Sequence, residues 1–277
     1  MNILANVEHL KNLLQSLRIK PKDYMGQNFL ISEDVLDEIM DASEIKKSDT
    51  IVEIGPGLGT LTERLAPAAH QVIAIEKDRR FISILKRSQT LKNVQIIESD
   101  VLRFNFGEIK SGYKIVANIP YYLTSHLLQM LLALGNKPSR IVFMVQKEVA
   151  ERLVAKAGEL SILGISVQIF ADVEIIATVP KENFWPQPKV DSAIVLIMPR
   201  GKFPEITDQK LFFRIIKIAF AGKRKQIHNS LANGLKLPKE QIETLLKKSN
   251  ITPTLRPQDL SLEQWIDLYK TIQKINV

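Results

Sequence analysis

The chain has 277 residues and no cysteine. Disulfides and thiolate metal sites are therefore excluded, and the usage is that of a protein from a reducing cytoplasm. Histidine is also scarce. His9, His70, His126 and His228 are scattered without ligand spacing, so no metal site is expected. Residues 1–6 show neither a basic leader nor a long apolar stretch, and neither a signal peptide nor a membrane span is expected. No internal repeat or low-complexity tract is present. What the first 199 residues lack is net charge: all of the +8 excess lies in residues 200–277, where 15 Lys+Arg face 7 Asp+Glu. That asymmetry points to a nucleic-acid-binding module at the C-terminal end, with a solubilising helical tail as the alternative.

What is present is an alternation of strand and helix patterns from residue 50 to residue 146, which argues for a parallel sheet. Ile51-Val52-Glu53-Ile54 reads as a buried strand, Gly55-Pro56-Gly57-Leu58-Gly59 as a glycine turn, and Thr60 to Leu65 as the start of a helix. This is the first crossover of a nucleotide-binding α/β domain. The spacing is G-x-G-x-G with an internal proline, not the dinucleotide G-x-G-x-x-G. A smaller ligand without phosphates fits it better, and a purely structural turn competes. The next strand, residues 71–75, ends in Glu76, where an acid can bind both hydroxyls of a ribose. The third, residues 94–97, leads to Asp100, which could accept from an adenine amino group. The fourth, residues 113–117, runs into Asn118-Ile119-Pro120-Tyr121. Glycine loop, Glu76, Asp100 and Asn118 thus fall at the carboxyl ends of four successive strands, the edge at which open α/β sheets bind ligands. The ligand they suggest is S-adenosylmethionine.

Asn118 to Tyr121 combines residue types that chemistry on an exocyclic base amine needs. Asn118 supplies a carbonyl acceptor, Pro120 fixes the chain so that a backbone carbonyl can point into a site, and Tyr121 offers a flat face for a flipped base. A plain strand-to-turn junction is the competing reading.

An amphipathic helix is expected over residues 3–19, and another after a Ser32 N-cap. Residues 141–145 form a fifth strand. Two further strands, 172–179 and 193–198, form a hairpin-like pair around a proline-rich loop that carries Phe184 and Trp185. Phe184 by spacing alone reads as a buried loop anchor. After a break near residues 199–202 only helical patterns follow, at 209–220, 225–233, 239–247 and 261–274, with Lys223, Arg224 and Lys225 at a helix junction suited to phosphate contact.

Six segments together resemble the ribosomal RNA adenine N6-dimethyltransferases, in their small-subunit (16S-type) branch. They are residues 26–30 (GQNFL), 53–59 (EIGPGLG), 118–121 (NIPY), 146–153 (QKEVAERL), 184–192 (FWPQPKVDS) and 224–231 (RKQIHNSL). They run across nearly the whole chain. Ala157 and Met25 depart from aromatics that the family often carries. The resemblance implies a Rossmann-like S-adenosylmethionine-dependent methyltransferase sheet over residues 1–199 and a smaller all-helical, basic RNA-binding domain over 200–277. It implies cofactor contacts from Asn28, Leu30, Gly55, Gly57, Glu76, Asp100 and Asn118. Asn118 and the Pro120 carbonyl would hold the target amine, with Tyr121 and Phe184 sandwiching the adenine. The implied substrate is two adjacent adenines in the 3′-terminal hairpin loop of small-subunit rRNA within a pre-30S-type particle. The protein would act as a cytoplasmic monomer without metal. A large-subunit rRNA adenine methyltransferase, a non-catalytic ribosome-assembly factor and a nicotinamide dehydrogenase are the competing readings.

Overall fold

The computed structural model describes residues 6–22, 25–88, 91–200, 205–222 and 224–275. It forms two compact units: Met1–Ala150 with Asp172–Pro199, and Glu151–Ala171 with Arg200–Val277. One boundary between the units falls between Pro199 and Arg200. Residues 151–171, expected in the N-terminal domain, group with the C-terminal unit instead. The reason is local packing, since Phe170 rests against Phe213 at 6.1 Å and its carbonyl accepts from the Arg200 N–H.

The first unit begins with α1 (Val7–Ser16), capped by the Asn6 side chain. It is shorter than the 3–19 pattern. Arg18 takes a left-handed conformation at its C-terminal end, and residues 3–5 lie outside the described part. β1 (Phe29–Leu30) precedes α2 (Glu33–Ser43), which starts at Ser32 as expected, its hydroxyl accepting from the Val35 N–H. Then follow β2 (Thr50–Ile54), α3 (Thr62–Ala68), β3 (Gln71–Glu76), α4 (Arg79–Leu85), β4 (Val94–Glu98), β5 (Lys114–Asn118), α5 (Thr124–Ala133) and β6 (Arg140–Gln146). After α6 (Lys147–Val154), whose last residues belong to the second unit, and α7 (Ile162–Gln168), which lies wholly in it, the first unit resumes with β7 (Ala171–Val179), β8 (Phe184–Trp185) and β9 (Ser192–Pro199).

The strands assemble into one seven-stranded sheet in the order β4-β3-β2-β5-β6-β9-β7. The β4, β3, β2, β5 and β6 pairings are parallel, and β9 runs antiparallel to β6. Strand order reverses between β2 and β5, which creates a crevice at the carboxyl ends of those strands. Apart from Glu53 on β2, the buried positions of β2, β5 and β6 are apolar, as a sheet covered by helices requires. α2 buries Val35, Leu36 and Ile39 against Ile51, Val116, Val142 and Ile194. Its C-terminal carbonyls are tied down at the opposite edge of the sheet. There Arg140 donates to the Ala42 carbonyl at 2.7 Å, and Lys114 donates to the Ser43 carbonyl while pairing with Asp49 at 2.8 Å. A second cluster joins Leu10 and Leu14 of α1 to Phe29, Leu58 and Phe81, so α1 packs beside the glycine turn.

The second unit adds α8 (Gln209–Phe220), α9 (Ile227–Leu235), α10 (Lys239–Lys248) and α11 (Leu262–Gln273). Its core contains Phe212, Ile216, Leu231, Leu246, Trp265 and Tyr269, all fully buried. Truncation of Leu36, which is 0% exposed in the first core, to Ala will cost about 2–5 kcal/mol in urea unfolding; a loss under about 1 kcal/mol would show that this face of the sheet is loosely packed.

Candidate active site at the carboxyl edge of the sheet

The crevice holds a cavity of about 300 Å3, at the lower end of the range for small-ligand sites. It is lined by residues 25–30, by the turn after β2, and by the ends of β3, β4 and β5. Each follows from the local chain. The turn reverses direction within five residues, which requires Gly55 and Gly57 at φ of +69° and +57°. A side chain at Gly55 would meet nothing within 4 Å. The backbone there is bare toward the cavity, a cradle that a ligand can approach closely.

Glu76, at the end of β3, is 7% exposed. Its Oε2 accepts from the Gly57 N–H at 3.1 Å, and its Oε1 accepts from the N–H groups of Lys77 and Asp78, both at 2.7 Å. Burial raises the carboxyl pKa, and the three N–H donors oppose that shift. The carboxylate is thereby fixed in direction with acceptor capacity to spare. Asp100, after β4, accepts from the Leu102 N–H at 3.1 Å and pairs with Lys77 at 2.8 Å. The Lys77 ammonium holds its pKa below the ordinary value, so it presents an ionised acceptor. Asn118, at the end of β5, donates its amide Nδ2 to the Asn28 carbonyl at 3.3 Å. That bond uses one of the two N–H donors, turns the NH2 group toward Asn28 and leaves the side-chain carbonyl oxygen as an acceptor. The Pro120 carbonyl accepts from the Leu123 N–H at 3.0 Å as the chain enters a 3-10 turn; one of its two lone pairs remains.

The stretch that carries Asn28 is clipped onto the loop after β3. Gln27 Nε2 donates to Asp78 at 3.1 Å, Arg80 pairs with Asp78, and the Arg80 guanidinium also reaches the Lys20 carbonyl at 3.1 Å. Arg80 holds the Asp78 pKa down to about 2.

Against this geometry, the model of the family described as ribosomal RNA adenine dimethylase matches residues 18–274. The ribosomal RNA small subunit methyltransferase A of Dehalococcoides mccartyi (strain CBDB1) is 40% identical over 260 residues, covering 92% of this chain and 89% of that protein. The protein of the same name from Bacillus cereus (strain AH187) is 38% identical, with 97% of each chain covered. Among solved structures, a dimethyladenosine transferase from Plasmodium falciparum aligns with a TM-score of 0.79 at 30% identity, over 90% of this chain and 98% of that one. The chain belongs to the ribosomal RNA adenine dimethylase family. The 23S rRNA methyltransferase ErmE also aligns, with a TM-score of 0.70 at 25% identity, over 89% of this chain and all of that one. The dehydrogenase reading ends with this membership.

Most of the site residues expected for a family member line the one cavity: Asn28, Leu30, Gly55, Gly57, Glu76, Asp100, Asn118 and Pro120. Two do not. Tyr121 is half-buried and tied by its hydroxyl to Ser192 at 2.7 Å. Phe184 is 3% exposed; it pairs with Leu30 across the β1–β8 ladder and packs in the main core. Here the bland expectation for Phe184, a buried anchor, describes its position. Tyr122, 62% exposed, lines the cavity instead, and the sequence reading passed over it because the four-residue motif ends one position earlier. Arg224 and Lys225 are exposed between α8 and α9, while Lys223 lies outside the described residues. Among the described residues no cluster of His, Cys, Asp or Glu could hold a metal, and no helix is long and apolar enough to cross a membrane.

Sequence reading also missed Glu53. It is 2% exposed on β2 and lines the cavity. Its Oε2 and the neighbouring Thr62 Oγ1 are buried without a well-formed hydrogen bond. Burial pushes the Glu53 carboxyl up to about 8, with Thr62 opposing and the negative Glu76 adding to the rise. A lone Glu inside an apolar strand was the available signal. The consequence for stability has a definite sign. Below the ordinary value of 4.5 both folded and unfolded chains carry the proton and Glu53 has no effect. Above 4.5 the unfolded chain gives up its proton while the folded chain keeps it to about 8, so stability falls as pH rises through that window. Glu53→Gln removes this dependence and will be more stable than the parent at about pH 8 by a few kcal/mol, with no difference near pH 4. Equal melting profiles across that range would mean that Glu53 ionises freely.

Proposed function

We propose that this protein dimethylates the N6 amines of two adjacent adenines in the 3′-terminal hairpin loop of small-subunit ribosomal RNA. The donor would be S-adenosylmethionine and the substrate a pre-30S-type particle. The observation that carries the reading is the Asn118 amide, which is oriented by the Asn28 carbonyl so that its own oxygen is free at the cavity. The 38–40% identity to small-subunit methyltransferases over nearly the full chain supports the choice of subunit.

The residues present fit the donor. The bare backbone at Gly55 admits it, Glu76 is a fixed acceptor for ribose hydroxyls, and Asp100 is an ionised acceptor for a purine amine. Asn28, Leu30 and Asn118 complete the wall. When bound, the donor supplies an activated methyl group on a sulfonium. The protein's part is positioning. The Asn118 side-chain oxygen and the remaining lone pair of Pro120 would each accept one N–H of the adenine amine. Both acceptors favour a tetrahedral nitrogen, whose lone pair is then no longer delocalised into the ring. Acceptors fixed in advance in a pocket sheltered from water are worth a few kcal/mol. Tyr121 would stack on the base and Phe184 would back it from the core side. Such contacts contribute about 1–3 kcal/mol per base toward extrusion. Pocket carboxylates are not needed to take the amine's proton, which leaves once the nitrogen is cationic.

The basic second unit would supply phosphate contacts through Lys223, Arg224 and Lys225. A monomeric, metal-independent, cytoplasmic protein completes the reading.

Incubation of purified ribosomal subunits with donor, followed by mass spectrometry of the rRNA, will show two dimethylated adenines in small-subunit RNA only. A single modified adenine in large-subunit RNA would transfer the assignment to the activity named for ErmE. Asn118→Ala will lower turnover about a hundredfold while donor affinity falls far less; near-parental turnover would remove Asn118 from the chemistry.

A further inference from the structure

Glu53 is the least comfortable group in the first unit. It is a carboxyl on β2, an interior strand of the sheet, 2% exposed, with an oxygen that makes no well-formed hydrogen bond among the described residues, yet it borders the cavity. Burying a carboxylate without a partner is costly, and a polar group kept in that state beside a pocket points to a ligand that completes it.

Its place in the register suggests which part of the ligand. Glu53 pairs with Ala74 on β3 and Val116 on β5. Two residues further along those strands stand Glu76 and Asn118. Glu53 therefore sits one step beneath the floor of the cavity, on the strand between the two. In the donor, the positive sulfur is bonded both to the carbon that bears the ribose and to the methyl group. A donor held at Glu76 and delivering toward Asn118 brings that positive charge over β2. The groups acting on Glu53 are the Thr62 hydroxyl from α3 and the Glu76 carboxylate from β3, with uncharged Ala74 and Val116 across the ladders. Glu76 opposes ionisation of Glu53, and a cation between them would relieve that opposition.

We propose that Glu53 is a charge-reading residue of the donor site, a neutral carboxylic acid in the free protein that ionises against the cationic donor and thereby favours it over the spent, neutral-sulfur form. The proton passes to solvent when donor binds and returns from solvent when spent donor remains, so Glu53 is unchanged over a full cycle. This rests on the donor reading given above.

Calorimetric titration with S-adenosylmethionine and with S-adenosylhomocysteine, in phosphate and in Tris at about pH 7, counts the protons released. The parent protein will release close to one proton with S-adenosylmethionine and none with S-adenosylhomocysteine. Donor affinity will rise up to about tenfold per pH unit and level off near 8, whereas affinity for the spent form stays flat. Glu53→Gln will abolish the release and flatten the donor profile, and its preference for donor over spent form will fall about tenfold. Donor binding by the parent without buffer dependence, or an unchanged release in Glu53→Gln, overturns the proposal. The parent's own buffer dependence decides the matter if the variant does not fold. Glu76→Gln separates the two levels of inference. If it leaves affinity for both ligands unaltered, the donor does not bind on this rim and the underlying reading fails. If it weakens both ligands while Glu53→Gln changes neither protons nor preference, only the role of Glu53 fails.

Discussion

The contact on which the site depends is the Glu76 carboxylate and its three backbone N–H donors. One comes from Gly57 in the turn after β2, and two from Lys77 and Asp78 at the end of β3 itself. Two loops that leave neighbouring strands are thereby held by one side chain. The glycine turn keeps its positive-φ shape at the cavity, and the carboxylate keeps its direction. Burial of Glu76 makes ionisation expensive, and the same three donors offset that expense.

A second layer of polar contacts is built outward from this point. Asp78 follows two residues after Glu76, caps α4 and receives Gln27 and Arg80. Gln27 adjoins Asn28, whose carbonyl orients the Asn118 amide. The chain of contacts from the glycine turn to Asn118 thus runs through residues distant in sequence, each held by a hydrogen bond of ordinary length. The apolar cluster of Leu10, Leu14, Phe29, Leu58 and Phe81 supports the same stretch from below. The opposite edge of the sheet carries a different set of ion pairs, Lys114 with Asp49 and Arg140 with Glu44. They anchor α2 and leave the carboxyl edge open for function.

Much of the architecture was readable along the chain. Strands 50–54, 71–76 and 94–98 and helices 209–220 and 239–248 lie within a residue or two of their patterns, because period and apolar content are local properties. The grouping of residues 151–171 with the C-terminal unit was not readable. It arises from packing across a sequence gap of some forty residues, as in Phe170 against Phe213. Phe184 was legible in one respect: its spacing reads as a buried loop anchor, and the β1–β8 ladder holds it in the core.

The sequence by itself determined the α/β class, the basic character of residues 200–277, and the placement of Glu76, Asp100 and Asn118 at strand ends. Each is a matter of composition or periodicity. Only the tertiary structure decided that Asn118 presents oxygen instead of nitrogen, that Tyr122 and not Tyr121 borders the cavity, and that Glu53 is a buried carboxyl beside a second one. Hydrogen-bond direction and desolvation depend on which distant groups come together in space, and nothing in a residue's immediate neighbours specifies them.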